Sequence, residues 1–252
     1  MCLIALKFAP GQPRFLLLAA NRDEEHARPA RPMAWWGGGR DVLAGRDERA
    51  GGTWMAAGRS GRWAAVTNLR NGVPAAGRRS RGDLPTGFVE GSLSPEDYVR
   101  RVWDRRADYG PFNLLAGTAE ALWYCSSVVA PQSVPPGVHA LSNGRLDEPW
   151  PKSRRVATAL RSLSGGAAVD CERLFGLMDD RQAAPDEELP DTGVGLELER
   201  LLSPPFIVGE RYGTRCTTIL SLRRRGRSLA AERSFDAAGT PVGEVHYGFG
   251  PA

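Results

Sequence analysis

Cys2 stands directly behind the initiator methionine. Once Met1 is removed, one residue carries both a thiol and a free α-amine. The thiolate is the reactive form of cysteine, and it needs a base or a lowered pKa to exist at neutral pH. An α-amine titrates at about 7.7–8.0, so it can take the thiol proton without a histidine nearby. One hairpin later comes Asn21-Arg22-Asp23-Glu24. A cation beside the thiol would lower its pKa, and a carboxylate could hold the ammonium. By itself Cys2 reads rather as a small buried hydrophobe. The returning Asn-Arg-Asp is what favours a nucleophile.

The elements that must bring these residues together are two short apolar runs. Cys2-Leu3-Ile4-Ala5-Leu6-Lys7-Phe8 and Phe15-Leu16-Leu17-Leu18-Ala19-Ala20 read as paired buried strands joined by the turn Pro10-Gly11-Gln12-Pro13. Antiparallel pairing returns the end of the second strand to the start of the first, which places Asn21, Arg22 and Asp23 beside Cys2. Further strands are expected at 41–47 and at 51–57 and 62–68 around a Gly58–Gly61 turn, then at 112–117 paired with 121–126, and at 138–144. Three more follow near 214–222, 228–235 and 243–249, with the basic run 223–227 as a solvated turn. The clearest helix starts at Ser94-Pro95-Glu96-Asp97, where Ser94 caps, Pro95 suits the first position and the acids favour the dipole. Helices are also expected at 84–90, 151–163 and 171–180. The polar stretch 71–81 reads as a mobile loop at a mouth, and 181–193 as an acidic surface loop. Strands and helices come in blocks joined by hairpins rather than by βαβ crossovers. That order predicts an α+β chain of antiparallel sheets packed together with helices outside. No composition break or repeat divides it, so one domain over 1–252 is expected.

Composition narrows the function. The chain has 252 residues, 42% hydrophobic and 25% charged, enough for one sizeable core. The net charge is +4, and Lys7 and Lys152 are its only lysines. The arginines are scattered among acids without a single basic stripe, which argues against a nucleic-acid partner. Cys2, Cys125, Cys171 and Cys216 are widely spaced, as suits reduced thiols in a cytoplasmic protein. No run of 18 apolar residues is present, so no membrane span is expected. His26, His139 and His246 have no metal-ligand spacing. Arg81-Gly82-Asp83 matches an adhesion tripeptide only in spelling, and no Gly-rich stretch sits between a strand and a helix as a nucleotide fingerprint would.

Several short motifs remain: Met1-Cys2, Asn21-Arg22-Asp23-Glu24, Gly51-Gly52-Thr53-Trp54 and Thr67-Asn68-Leu69-Arg70. They are followed by Ser80-Arg81-Gly82, Phe112-Asn113, Leu141-Ser142-Asn143-Gly144, Pro149-Trp150-Pro151-Lys152 and Tyr212-Gly213-Thr214-Arg215-Cys216-Thr217. In this order over nearly the whole chain, they closely resemble the NRDE family, also called the transport and Golgi organisation type two family. The resemblance implies a four-layer αββα fold of the N-terminal-nucleophile hydrolase type, most similar to the branch with an N-terminal cysteine. By motif, Cys2 matches the nucleophile and Asp23 the acid that orients its α-amine. Asn68, Asn143 and Arg215 match later polar positions around the site, the two asparagines as oxyanion donors and the arginine as a partner for the thiolate or an anionic group. One departure concerns Arg22, which is adjacent to Asp23 where the related acylases separate the two by two residues. Neighbours on a strand point to opposite faces, so both serve Cys2 only if the chain turns there.

The resemblance carries two functions. One is hydrolysis of a small-molecule, non-peptide amide, with no cofactor required. The other is a carrier of the same fold that holds haem or a fatty-acyl or other apolar ligand, with Trp35-Trp36 as a candidate apolar wall. No haem-attachment signature is present, and neither substrate identity nor oligomeric state is legible.

Overall fold

The computed structural model describes residues 2–71, 77–163 and 169–250. Two antiparallel sheets form its centre. The first strands are β1 (Cys2–Phe8) and β2 (Arg14–Glu25), followed by β3 (Ala30–Trp35), β4 (Leu43–Asp47), β5 (Met55–Ala57) and β6 (Trp63–Asn68). After helices α1 (Asp83–Val89) and α2 (Pro95–Asp104) come β7 (Phe112–Gly117), β8 (Leu122–Ser126), β9 (Gln132–Ser133) and β10 (Gly137–Leu141). Helices α3 (Pro151–Ser162), α4 (Cys171–Met178) and α5 (Leu196–Leu201) precede β11 (Tyr212–Arg223), β12 (Ser228–Phe235) and β13 (Pro241–Phe249). One sheet runs β10-β1-β2-β11-β12-β13, and the other β3-β4-β5-β6-β7-β8-β9.

Both faces of each sheet are covered, which is why β1 and β2 read as continuous apolar runs rather than as alternations. Ile4, Leu6 and Phe8 point inward and meet Trp63, Leu115 and Tyr124 of the other sheet. Leu3 and Ala5 point outward, where Val156 and Leu160 of α3 and Phe175 of α4 cover them. Across the molecule, Ala64, Val66 and Leu114 lie under Leu84 and Phe88 of α1 and Val99 and Val102 of α2. The result is four layers, helix–sheet–sheet–helix. Ser94 accepts from the Asp97 amide at 3.1 Å, so the cap read from the sequence is the cap that forms.

Strand β3 is the main element the sequence pattern does not announce. It carries Pro32, its register against β4 slips between Arg31 and Ala34, and it lies at the sheet edge, where proline is tolerated. Trp35 packs edge-on against Phe249 with ring centroids 5.5 Å apart, and Arg59 covers its face. The Trp36 ring nitrogen donates to the Ala44 carbonyl, and Arg40 and Arg46 flank its ring. These two tryptophans therefore pack against the protein, and neither borders the main cavity described below. Of the stretch expected to be a mouth loop, residues 72–76 lie outside the described residues. The part from Gly77 to Gly82 borders that cavity.

Asn21 shows how the sheet is tied to its helices. Fully buried, it donates from Nδ2 to the carbonyls of Met178 and Pro205, both at 2.9 Å, and accepts the Thr217 hydroxyl at 2.6 Å. Removing the side chain strands two carbonyls and a hydroxyl, each worth about 1–3 kcal/mol when left buried without a partner. Asn21→Ala should lower the unfolding free energy by about 3 kcal/mol in urea titrations. The fraction still folded should alkylate Cys2 at the wild-type rate. A variant as stable as the parent would show that these bonds do not hold α4 to the sheet.

Candidate active site at the open end of the sandwich

Main-chain register assembles the site. Cys2 pairs with Arg22 across β1 and β2, Arg22 pairs with Cys216 across β2 and β11, and Cys216 pairs with Ser234 of β12. Directly opposed residues share a face, so these four form one row across the sheet. The row follows the inward pleat of Ile4, Leu18 and Leu220, but at the end of the sandwich where the apolar filling stops. There it borders a cavity of about 370 Å³. Cys2 is 7% exposed, and burial pushes its thiol pKa up, with Asp23 adding to the rise and Arg22 opposing it.

Asp23 belongs to the opposite pleat. Its Oδ1 accepts the Thr214 hydroxyl at 2.7 Å, and it too borders the cavity. Burial raises the Asp23 pKa, opposed by Lys152, by the Thr214 bond and by Arg22. Strand β2 runs on through Glu25 without the turn that the adjacency of Arg22 and Asp23 was expected to need. The irregularity lies instead in β11, between Thr214 and Cys216, and Arg215 is the extra residue. Bulges of this kind bend a strand and re-aim its side chains.

The other expected residues fall into different places. Asn68 ends β6 and lines the cavity. Asn143 is fully buried and spends an Nδ2 hydrogen on the Asn68 carbonyl at 3.0 Å, while its own carbonyl accepts from the Arg70 amide at 2.7 Å. Arg215 lines the cavity, but its Nη1 donates to the carbonyls of Glu25, His26 and Arg28. Asn113 ties the two sheets behind the site, donating to Thr67 and to the Gly144 carbonyl and accepting from Tyr124.

Four residues not singled out from the sequence as site residues also belong here. Asp47 of β4 binds Arg28 at 2.5 Å and lies 3.6 Å from Arg22, which joins the two sheets across the cavity. Glu232 is buried on the cavity wall, accepting from the Met33 amide at 2.7 Å and the Thr218 hydroxyl at 2.8 Å, and burial raises its pKa. Arg81 donates to the Pro111 carbonyl at 2.8 Å, and burial lowers its pKa while Cys2 works to raise it. Lys152, 2% exposed at the start of α3, donates to the Leu202 carbonyl at 2.9 Å. Burial brings its pKa down to about 8, with Asp23 pulling it back up. Both Arg81 and Lys152 stand inside motifs visible in the sequence. Arginine is so common in this chain, however, that no single one draws notice.

The Gly51-Gly52-Thr53-Trp54 motif has a steric reason. The Thr53 amide donates to the Gly82 carbonyl at 3.0 Å, and a Cβ on Gly52 would lie 2.5 Å from the Gly82 carbonyl carbon. Only glycine lets the 80–82 segment lie that close, and Arg81 is fixed by that contact.

A family model described as "Transport and Golgi organisation 2" matches residues 1–237. The chain belongs to that family. It is similar to the human Transport and Golgi organization protein 2 homolog, with 30% identity over 93% of each chain. It is 31% identical to the Bos taurus homolog over the same shares. Among solved structures it resembles the Caenorhabditis elegans N-acylethanolamine-hydrolyzing acid amidase ortholog, with a TM-score of 0.51 and 8% identity. That match covers 87% of this chain and 92% of the other, and the two share an α+β sandwich fold. No helix among the described residues is long and apolar enough to cross a membrane.

Two outcomes test this geometry. Gly52→Ala should displace Gly82 and Arg81, lower stability by about 1–3 kcal/mol and slow alkylation of Cys2. An unchanged alkylation rate would show that the close approach does not hold the site. Lys152 titrates near 8 when folded and near its ordinary 10.5 when unfolded. Between those pH values the unfolded chain binds the extra proton, so stability rises with pH. Measured against Lys152→Met, the wild type should therefore gain about 3 kcal/mol from pH 8 to 10.5. A flat difference would place the lysine outside a desolvated site.

Proposed function

We propose that the protein is an N-terminal-cysteine amidohydrolase, acting on a small-molecule amide once Met1 has been removed. The observation that carries this reading is the placement of Cys2. It heads an interior strand, borders a cavity, and is held opposite Arg22 by main-chain register.

The steps follow from the residues. The freed Cys2 α-amine takes the thiol proton. Although β2 makes no turn at Arg22 and Asp23, the resulting ammonium is a main-chain group, and Asp23 is proposed to hold it from the face opposite the thiol. Arg22 steadies the thiolate. The Cys2 sulfur attacks the amide carbonyl carbon, forming a C–S bond and a tetrahedral oxyanion. Asn68 borders the cavity and is proposed as a donor to that oxyanion, with Asn143 holding the Asn68 main chain in place. A donor of this kind is typically worth about 3–4 kcal/mol of barrier. As the intermediate collapses, the C–N bond breaks and the ammonium passes its proton to the leaving nitrogen. Water, deprotonated by the same amine, then cleaves the thioester and restores the thiol. Arg215 is given a positioning role, because its Nη1 holds the turn after β2 rather than the thiol.

The alternative reading, a carrier of haem or a fatty-acyl ligand, finds less support in the walls of the cavity. Arginines and carboxylates interrupt the apolar part formed by Trp54, Val66, Phe235 and Val242, whereas a carrier of apolar cargo would want that wall continuous. The test is the intact mass of protein made in its own type of cell, followed by trapping with an acylating electrophile. The expected result is loss of Met1 and one acyl adduct on Cys2, absent in Cys2→Ala. Retained Met1 leaves an amide nitrogen where the base should be, and that outcome would overturn the mechanism.

A further inference from the structure

The charges around the cavity do not balance. Its described lining holds seven arginines against four carboxylates. The pairing is also uneven. Arg22 and Arg28 share Asp47 and Glu24, at 2.5–3.9 Å. Arg31 reaches Glu48 at 2.5 Å. Arg81 has no carboxylate within ion-pair distance among the described residues, Glu24 acting on it only from farther off, and its one described bond goes from Nη1 to the Pro111 carbonyl. It is partly buried, and close enough to Cys2 for the two to interact electrostatically.

A guanidinium left without a counter-ion in a sheltered cavity is unfavourable unless something else neutralises it. The main chain beneath it is fixed. The Gly82 carbonyl is bound by the Thr53 amide, the Gly82 amide donates to Ser80 Oγ at 3.1 Å, and Gly52 lies against Gly82 without room for a Cβ. The fork is thus held ready rather than carried on a loose loop, and the planar fork of arginine fits a carboxylate through two parallel bonds.

We infer that Arg81 is the specificity residue of this site, and that the substrates are amides carrying a carboxylate close to the scissile bond, as in N-acyl amino acids. The inference rests on the proposed hydrolase reading for the word substrate, but the binding it describes does not depend on turnover. In the complex the carboxylate supplies the charge that the lining lacks. Arg22 remains free to face the thiol.

The test uses N-hexanoylglycine and its neutral counterpart N-hexanoylglycinamide, titrated calorimetrically into the Cys2→Ala protein, which has no nucleophile at that position to consume either probe. The acid should bind about tenfold or more tightly than the amide, the margin of a charge-assisted pair. The preference should weaken with salt. Arg81→Gln should abolish it. Arg81→Lys, which keeps the charge but loses the fork, should retain only part of it.

A second measurement uses the Met1-processed wild type. Alkylation of Cys2 by iodoacetate relative to iodoacetamide should exceed the same ratio at the half-buried Cys171, which has acidic neighbours. Equal binding of acid and amide, or a preference undiminished in both Arg81 variants, would overturn the inference and leave acyl transfer standing. A preference for the acid in a protein that never forms an acyl adduct would keep the inference and overturn the hydrolase reading.

Discussion

The main-chain register of β1 against β2 is the constraint from which the site follows. Pairing Cys2 with Arg22 fixes which pleat the thiol occupies, and it places Asn21 and Asp23 on the other. A slip of one residue would turn the whole strand over and aim Cys2 at the helices. The apolar side chains prevent it. Ile4, Leu6 and Leu18 must face the other sheet, and Leu3, Ala5 and Ala19 must face α3 and α4. The core thus acts on the chemistry without touching it. It fixes the phase of the strand whose first residue is the proposed nucleophile.

The same alternation divides the Asn-Arg-Asp-Glu sequence into two duties. Arg22 and Glu24 face the cavity and the ion pairs that reach Asp47 on the other sheet. Asn21 and Asp23 face the helices, where Asn21 binds main-chain carbonyls and Asp23 lies within the influence of Lys152. A four-residue motif that looks like one functional unit is therefore half wall and half anchor. Charge on both sides of a single strand is tolerated because each side has its own partners, with Lys152 behind and Arg28 and Asp47 in front.

Much of this was legible in the chain before any coordinates. The paired runs at 2–8 and 15–20 predict the corner, because a short turn between two apolar strands has few other outcomes. The cap at Ser94 and the Gly58–Gly61 turn are local features, and local chemistry determines them. What escaped is what local pattern cannot encode. β3 contains a proline and a slipped register, so its alternation is broken, and only the edge of the sheet makes it a strand. Lys152 is one of two lysines, but its burial behind Asp23 depends on where α3 docks. Asp47 and Glu232 reach the cavity from β4 and β12, and no spacing in the sequence relates them to Cys2. Arg215 lines the cavity as its motif suggested, but its contacts were not legible. Its place in a motif suggested chemistry, whereas the bulge in β11 turns its Nη1 onto three carbonyls.

The strand pairings have a consequence for how the molecule comes into being. Cys2 is made first, yet β1 gains its outer neighbour only when residues 137–141 have been synthesised. β2 is closed by β11, and the bond from Thr217 to Asn21 spans 196 positions of chain. Contacts that distant form late, because the intervening chain must be ordered before they can. On a ribosome the nascent chain would carry a cysteine with no pocket, no facing wall and no partner from β11 for most of its synthesis. The corner proposed to react can be assembled only after β11 is in place, so any chemistry there would wait until the protein is nearly whole.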